Sequence, residues 1–167
     1  TPIDAAPVAK SKPSRRTTSL LSAFAVVLAV GGFGYYWHKQ HYKHFDVHEA
    51  NRVYRSAWMN STAMGEVVKA HGIKAVVNLC RPGEMGPTRA AEERKAVEAA
   101  GGKLYELPLP DTTDASDERF QPHIDLLKKP DNYPLLVHCQ HGVNRTSRVL
   151  AMYEVLKHGG DGESAIR

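Results

Sequence analysis

The chain has 167 residues, 42% of them hydrophobic and 24% charged, with a formal net charge of +4 at pH 7, a globular composition that supports one domain with a core of its own. Residues 1–56 hold eight Lys/Arg against three Asp/Glu, whereas residues 57–167 hold fourteen against fifteen, so the basic balance belongs to the N-terminal arm and argues against a nucleic-acid partner. Two cysteines, Cys80 and Cys139, exclude a disulfide framework and leave room for one functional thiol.

Residues 1–16 read as a basic tail. From 17 to 38 the chain carries no Lys, Arg, Asp or Glu, and the apolar core of that stretch runs 18 residues from Leu20 to Trp37. About 20 mostly apolar residues cross the hydrocarbon region of a bilayer. Tyr35, Tyr36 and Trp37 close the stretch as an interfacial aromatic belt would, and Lys10, Lys12, Arg15 and Arg16 flank its start. The expectation is a transmembrane signal anchor over 17–37, giving a single-pass membrane protein with the bilayer as a partner. The competing reading is a cleaved signal peptide with Leu20–Val30 as its apolar region. Lys and Arg are balanced across the segment, so the side faced by the domain is undetermined.

Residues 38–50 read as a juxtamembrane linker containing His38, His41, His44 and His48. On a helix these four would share a stripe about 120° wide. No Cys or carboxylate completes a familiar ligand spacing, so no metal site is expected.

From Asn51 onward strand-like and helix-like segments alternate. Residues 52–56 read as a short strand, 61–72 as a helix stopped by Gly72, and 74–79 as a buried β-branched strand. Pro87 opens a helix closed by a Gly pair. Residues 103–109 form the next strand, and Ser116 reads as the N-cap of a helix to about Lys129, with Asp117 and Glu118 in its first turn. Residues 133–138 are a buried strand and 145–160 a helix with a Gly stop. This order predicts an α/β fold over 51–167, a mostly parallel central sheet flanked by helices. Ser164-Ala165-Ile166 resembles the start of a further helix, so the domain is expected to continue past Arg167.

The loop "HCQHGVNRTS", between the strand at 133–138 and the following helix, lies where ligands bind in such sheets, at the carboxyl ends of the strands. Its N–H groups, with Gly142 relieving the turn, converge into an anion cradle at a helix N-terminus. Arg145 adds a bidentate guanidinium, and the same positive field favours the Cys139 thiolate. A thiolate at the floor of a phosphate cradle is placed for in-line attack on phosphorus, with the Thr146 hydroxyl near the sulfur. His138 is expected to support the loop through hydrogen bonds. Gln140, His141, Val143 and Asn144 complete the phosphate-binding loop 140–145 and bring no Lys or Arg of their own.

"VHCQHGVNRTS" resembles the His-Cys-(five residues)-Arg-Thr/Ser signature of the cysteine-dependent protein-tyrosine phosphatase superfamily, and size and element order resemble its dual-specificity branch. The likeness covers about residues 51–167, with "VYRSA" and "GIKAVVNLCRPGE" resembling the first two strands. It implies a two-step reaction without cofactor or metal: Cys139 attacks, Arg145 holds the phosphoryl oxygens, and a cysteinyl-phosphate forms and is hydrolysed. It also implies an Asp upstream that protonates the leaving oxygen. Asp111 leads, Asp114 is the alternative, and Asp117 is better explained by the helix it precedes. Some relatives pair the nucleophile with a second thiol under oxidation, which makes Cys80 the candidate redox partner, although a plain buried Cys is the competing reading.

The implied substrates are phosphomonoesters of proteins, phosphotyrosine and also phosphoserine or phosphothreonine. The alternatives are a phospholipid or other non-protein phosphate, or a phosphate-binding module that lacks turnover. Oligomeric state is not indicated.

Overall fold

A computed structural model describes residues 15–109 and 117–160. The chain falls into two compact units, Thr1–His38 and Lys39–Arg167.

The first unit is dominated by helix α1, Arg15–His41. Its described side chains as far as Gln40 are exposed, among them Leu20, Phe24, Val27, Leu28 and Phe33. The helix expected over 17–37 is present, spanning Arg15–His41. Among the described residues no helix is both long and apolar enough to cross a membrane.

In the second unit β1 (Asp46–Glu49) pairs antiparallel with β2 (Val53–Ala57). The sequence reading placed β1 inside a linker, because its side chains are mostly exposed and show no apolar alternation. The four linker histidines do not form one stripe. The helix ends at His41, His44 adopts a positive φ of 55°, His41 reaches Glu66 and His48 reaches Glu154. Among the described residues no three His, Cys, Asp or Glu gather closely enough to hold a metal ion.

Next come α2 (Ser61–Ala70), β3 (Ala75–Asn78), α3 (Pro87–Ala99), β4 (Lys103–Glu106), α4 (Gln121–Leu127), β5 (Leu135–Cys139) and α5 (Asn144–Lys157). The strands form one five-stranded mixed sheet in the order β1-β2-β5-β3-β4, parallel except at β1. Asn60 caps α2 by accepting the Ala63 N–H at 2.8 Å, and Pro87 supplies the preset φ at the start of α3. The helix predicted from Ser116 differs in detail. Ser116 lies outside the described residues, and Asp117 is the cap, accepting the Arg119 N–H at 3.0 Å. A 3₁₀ turn, Glu118–Phe120, then leads into α4, where Pro122 occupies the first turn and lacks an N–H to bond.

β5 is the central strand, and its alternation organises the core. Leu135, Val137 and Cys139 join Val53, Val77, Leu126, Leu150 and Met152 on the face covered by α4 and α5. Leu136 joins Tyr54, Met64, Val67, Val76 and Val97 on the face covered by α2 and α3. Burial on both faces explains the unbroken apolar run "LLV", and each such side chain contributes about 1.5–3 kcal/mol relative to exposure. The same alternation turns His138, the residue before Cys139, toward α3.

Candidate active site

The carboxyl ends of β2, β3 and β5 lie along one edge of the sheet, and the chemistry-bearing loop sits there. β5 ends at Cys139, which is 2% exposed, and α5 begins at Asn144. The intervening turn requires Gly142. Its φ is +67°, and a Cβ there would lie 2.5 Å from Ser56 O and 2.6 Å from Ala57 N. The loop is thus pressed against the end of β2. Arg55 Nη2 donates to Gly142 O at 2.5 Å, and the Trp58 N–H reaches Gln140 O at 3.4 Å. The cradle is held from outside by β2 as well as from within by the helix.

Hydrogen bonds converge on the sulfur. Thr146 Oγ1 donates to Cys139 Sγ at 3.2 Å. Burial acts to push the Cys139 thiol up, but the Thr146 hydroxyl and the N–H groups of Thr146, His141 and Gly142 outweigh it and hold the thiol below its ordinary value. The other cysteine contrasts with it. Cys80, just past β3, has its thiol pushed up to about 12, chiefly by burial, with the nearby Arg145 acting against that. The two thiols are therefore pushed in opposite directions, because only Cys139 is surrounded by hydrogen-bond donors.

Arg145 is anchored by the loop that follows β3. Its Nη1 donates to Leu79 O at 2.9 Å and to Glu84 Oε2 at 2.8 Å. Burial acts to raise the Glu84 carboxyl, while Arg145 and the Arg81 N–H reverse the effect and hold it below the usual carboxylate value. The guanidinium is thereby fixed in direction by the protein itself.

His138 is fully buried, with its Nε2 3.1 Å from Glu93 Oε1, within ion-pair range. Among the described residues neither atom has an aligned hydrogen bond, and His138 Nδ1 is likewise without a partner. The hydrogen-bonded support expected of His138 is therefore not formed by the ring; the backbone supplies it, through His138 O accepting the Leu79 N–H at 2.9 Å.

Gln140, His141, Val143 and Asn144 are exposed at the rim. Beside the loop lies a cleft of about 150 Å³, bounded by Lys43, Trp58, Asn60, Arg89, Glu92 and Glu93. The Arg89 guanidinium stands 4.8 Å over the Trp58 ring. Two cations and two carboxylates there offset one another.

Asp111 and Asp114 lie outside the described residues. Asp117 is engaged by Arg119, whose Nε donates at 2.8 Å and 3.0 Å to the two carboxylate oxygens. That contact, with the Arg119 N–H, holds the carboxyl below its ordinary value. A carboxyl so held is a poor proton donor at neutral pH.

Sequence reasoning missed Glu84, Glu93 and Asn78. For Glu84 a signal existed, the acidic residue inside "RPGEMGP", a loop following a strand at the same edge. For Glu93 none did, since "EERK" reads as a solvent-facing stretch of helix.

Comparison with known proteins places this geometry in context. A family described as DSP-PTPase phosphatase fused to NAD+ kinase matches residues 16–166. No curated protein matches the chain. Among solved structures, a DUF442 protein from Shewanella putrefaciens CN-32 is similar with a TM-score of 0.58 at 19% identity, covering 77% of this chain and 79% of that one. The core catalytic domain of the PP-IP phosphatase SIW14 from S. cerevisiae, in complex with citrate, gives 0.54 at 19% identity, covering 70% and 68%. Tk-PTP in its active form gives 0.52 at 25% identity, covering 69% and 75%. The first two likenesses concern the fold alone. The resemblance read from the signature agrees with the family match.

Proposed function

We propose, since this chain belongs to the family of DSP-PTPase phosphatases fused to NAD+ kinase, that it hydrolyses phosphomonoesters of proteins, phosphotyrosine foremost, through a cysteinyl-phosphate. The observation that carries this reading is the convergence of the Thr146 hydroxyl and three loop N–H groups on the Cys139 sulfur, which keeps the thiol below its ordinary value.

The thiolate attacks phosphorus: a sulfur–phosphorus bond forms and the bond to the leaving oxygen breaks. Loop N–H groups and Arg145 hold the non-bridging oxygens as charge develops on them. Asp111, or Asp114 in its place, gives the proton to the departing oxygen. Water then cleaves the sulfur–phosphorus bond, returning the thiolate, which Thr146 stabilises as it leaves.

Two features support a protein substrate. The loop positions 140–144 hold no Lys or Arg, and the adjoining cleft balances Lys43 and Arg89 with Glu92 and Glu93. A polyanionic inositol phosphate gains little from such a neutral surround, whereas an aryl phosphate meets Trp58 and the exposed Val143 at the rim.

The test is hydrolysis of a small aryl phosphate by the full chain, wild type beside Cys139→Ser, with chelator present. Chelator-resistant turnover lost in Cys139→Ser is the expected result. Phosphotyrosine peptide is then compared with phosphoinositide and inositol pyrophosphate, and preference for either of the latter overturns the substrate class. A folded, reduced wild type without turnover overturns the enzyme reading in favour of a phosphate-binding module.

A further inference from the structure

Three buried polar side chains on the α3 side of the sheet have no part in the chemistry above. Glu93 stands on α3 yet is 2% exposed, with Asn78 at 4% and His138 at 0%. Water is removed from a carboxylate only at high cost, and a purely structural need is commonly met as well by an apolar side chain of similar volume. The contacts of Glu93 indicate what else it does.

One carboxylate oxygen accepts from Asn78 Nδ2 at 2.8 Å. The other lies 3.1 Å from His138 Nε2, a contact within ion-pair range that is not an aligned hydrogen bond. Asn78 Oδ1 in turn takes the Cys80 N–H at 2.8 Å. Asn78 and His138 are register partners across the parallel β3–β5 pair. One carboxylate thus touches both strand ends at the site. β5 delivers Cys139, one residue beyond His138. β3 leads into Leu79 and Glu84, the two groups that hold Arg145 at 2.9 Å and 2.8 Å.

We propose that Glu93 is a positioning residue for the phosphate-binding loop: its buried carboxylate locks the end of β5 to the end of β3, keeping the loop N–H groups on the Cys139 sulfur and Arg145 in register with them. Its effect on turnover rests on the phosphatase reading, but its effect on Cys139 does not require turnover. Glu93 touches no substrate and acts through His138 and Asn78.

The experiment compares wild type, Glu93→Gln and Glu93→Asp in the full chain. The Cys139 alkylation rate is followed against pH by mass spectrometry, with kcat, KM and thermal unfolding measured alongside. Glu93→Gln removes the charge and keeps the volume; Glu93→Asp keeps the charge and retracts it by one methylene. A positioning role predicts that both variants move the alkylation profile to higher pH by about one pH unit, a tenfold change in the thiolate equilibrium and roughly the worth of one hydrogen bond to a charged group. It also predicts that kcat falls more than KM changes.

A charge role predicts the opposite sign: losing a nearby carboxylate speeds alkylation in Glu93→Gln, while Glu93→Asp stays as wild type. That result overturns the proposal. An unmoved profile with a lowered unfolding temperature also overturns it, and so does failure of both variants to fold, since the residue then serves the fold alone. Should only Glu93→Gln fail to fold, the shift in Glu93→Asp decides. Absence of wild-type turnover refutes the phosphatase reading and leaves the alkylation comparison intact.

Discussion

Gly142→Ala adds one methyl group at the point where the loop rests on β2. The new Cβ would lie 2.5 Å from Ser56 O, against an ordinary contact of at least 3.4 Å, so something must shift by about 0.9 Å. The obstructing atoms are backbone of β2, a strand held by β1 on one side and β5 on the other. The loop therefore yields. Retaining a φ of +67° with a side chain costs about 1–2 kcal/mol on its own. Yielding costs more, because it draws Gly142 O away from Arg55 and the Gly142 N–H away from the Cys139 sulfur. Displacing catalytic groups by about 1 Å costs on the order of 100-fold in rate. The expected outcome is a loss of about 2 kcal/mol or more in urea unfolding, a fall of about 100-fold in kcat/KM for aryl phosphate, and a Cys139 alkylation profile moved to higher pH. A Gly142→Ala protein with wild-type stability and turnover would refute the seating of the loop on β2.

The two thiols provide a second check: at pH 7.5 a limiting amount of iodoacetamide labels Cys139 before Cys80, whose thiol is pushed up to about 12, and peptide mapping that finds Cys80 labelled first contradicts the electrostatics described. Because the folded Glu84 carboxyl is depressed below its ordinary value of 4.5, its contribution to stability is fully present above that pH and is lost as pH falls through the depressed value. Glu84→Gln should therefore unfold more readily than wild type at pH 7, with the difference closing on acidification, and it should raise KM by loosening Arg145; equal stability across the range excludes the clamp. Leu135→Ala, at a site with no exposure in the central strand, should lower the free energy of unfolding by about 2–5 kcal/mol in denaturant titration, and a change under 1 kcal/mol contradicts the packing assigned to β5.

The parts of the fold visible in the sequence were those where local chemistry and tertiary burial agree. β5 and α5 could be read because "LLV" is buried on both faces and because a Gly and an Arg follow at the spacing an anion cradle demands. α3 could be read from Pro87. β1 could not, since an exposed edge strand carries no apolar alternation and is defined only by its pairing with β2. α1 could be read from the uncharged, largely apolar stretch from 17 to 38. In the site, Cys139, Thr146 and Gly142 cluster because they are neighbours along the chain. Glu84, Asn78 and Glu93 reach it from 46 to 61 residues away by sequence number, brought there by parallel pairing of β3 with β5. Parallel pairing leaves no local trace in a single sequence, and a Glu amid "EERK" gives no sign that a fold will bury it.

The position of β5 also governs how the protein opens. A strand flanked on both sides and covered on both faces contributes no small, local fraying event of its own; its backbone amides are released to solvent only when the sheet as a whole comes apart. Residues 135–138 are thus expected to be among the slowest in amide hydrogen exchange, while β1 at the edge exchanges early. Cys139 is tied to the most persistent element in the molecule, so the geometry around its sulfur is expected to survive thermal agitation that loosens the periphery. At the rim, Gln140, His141, Val143 and Asn144 are exposed, and their side chains can change without disturbing the strand beneath.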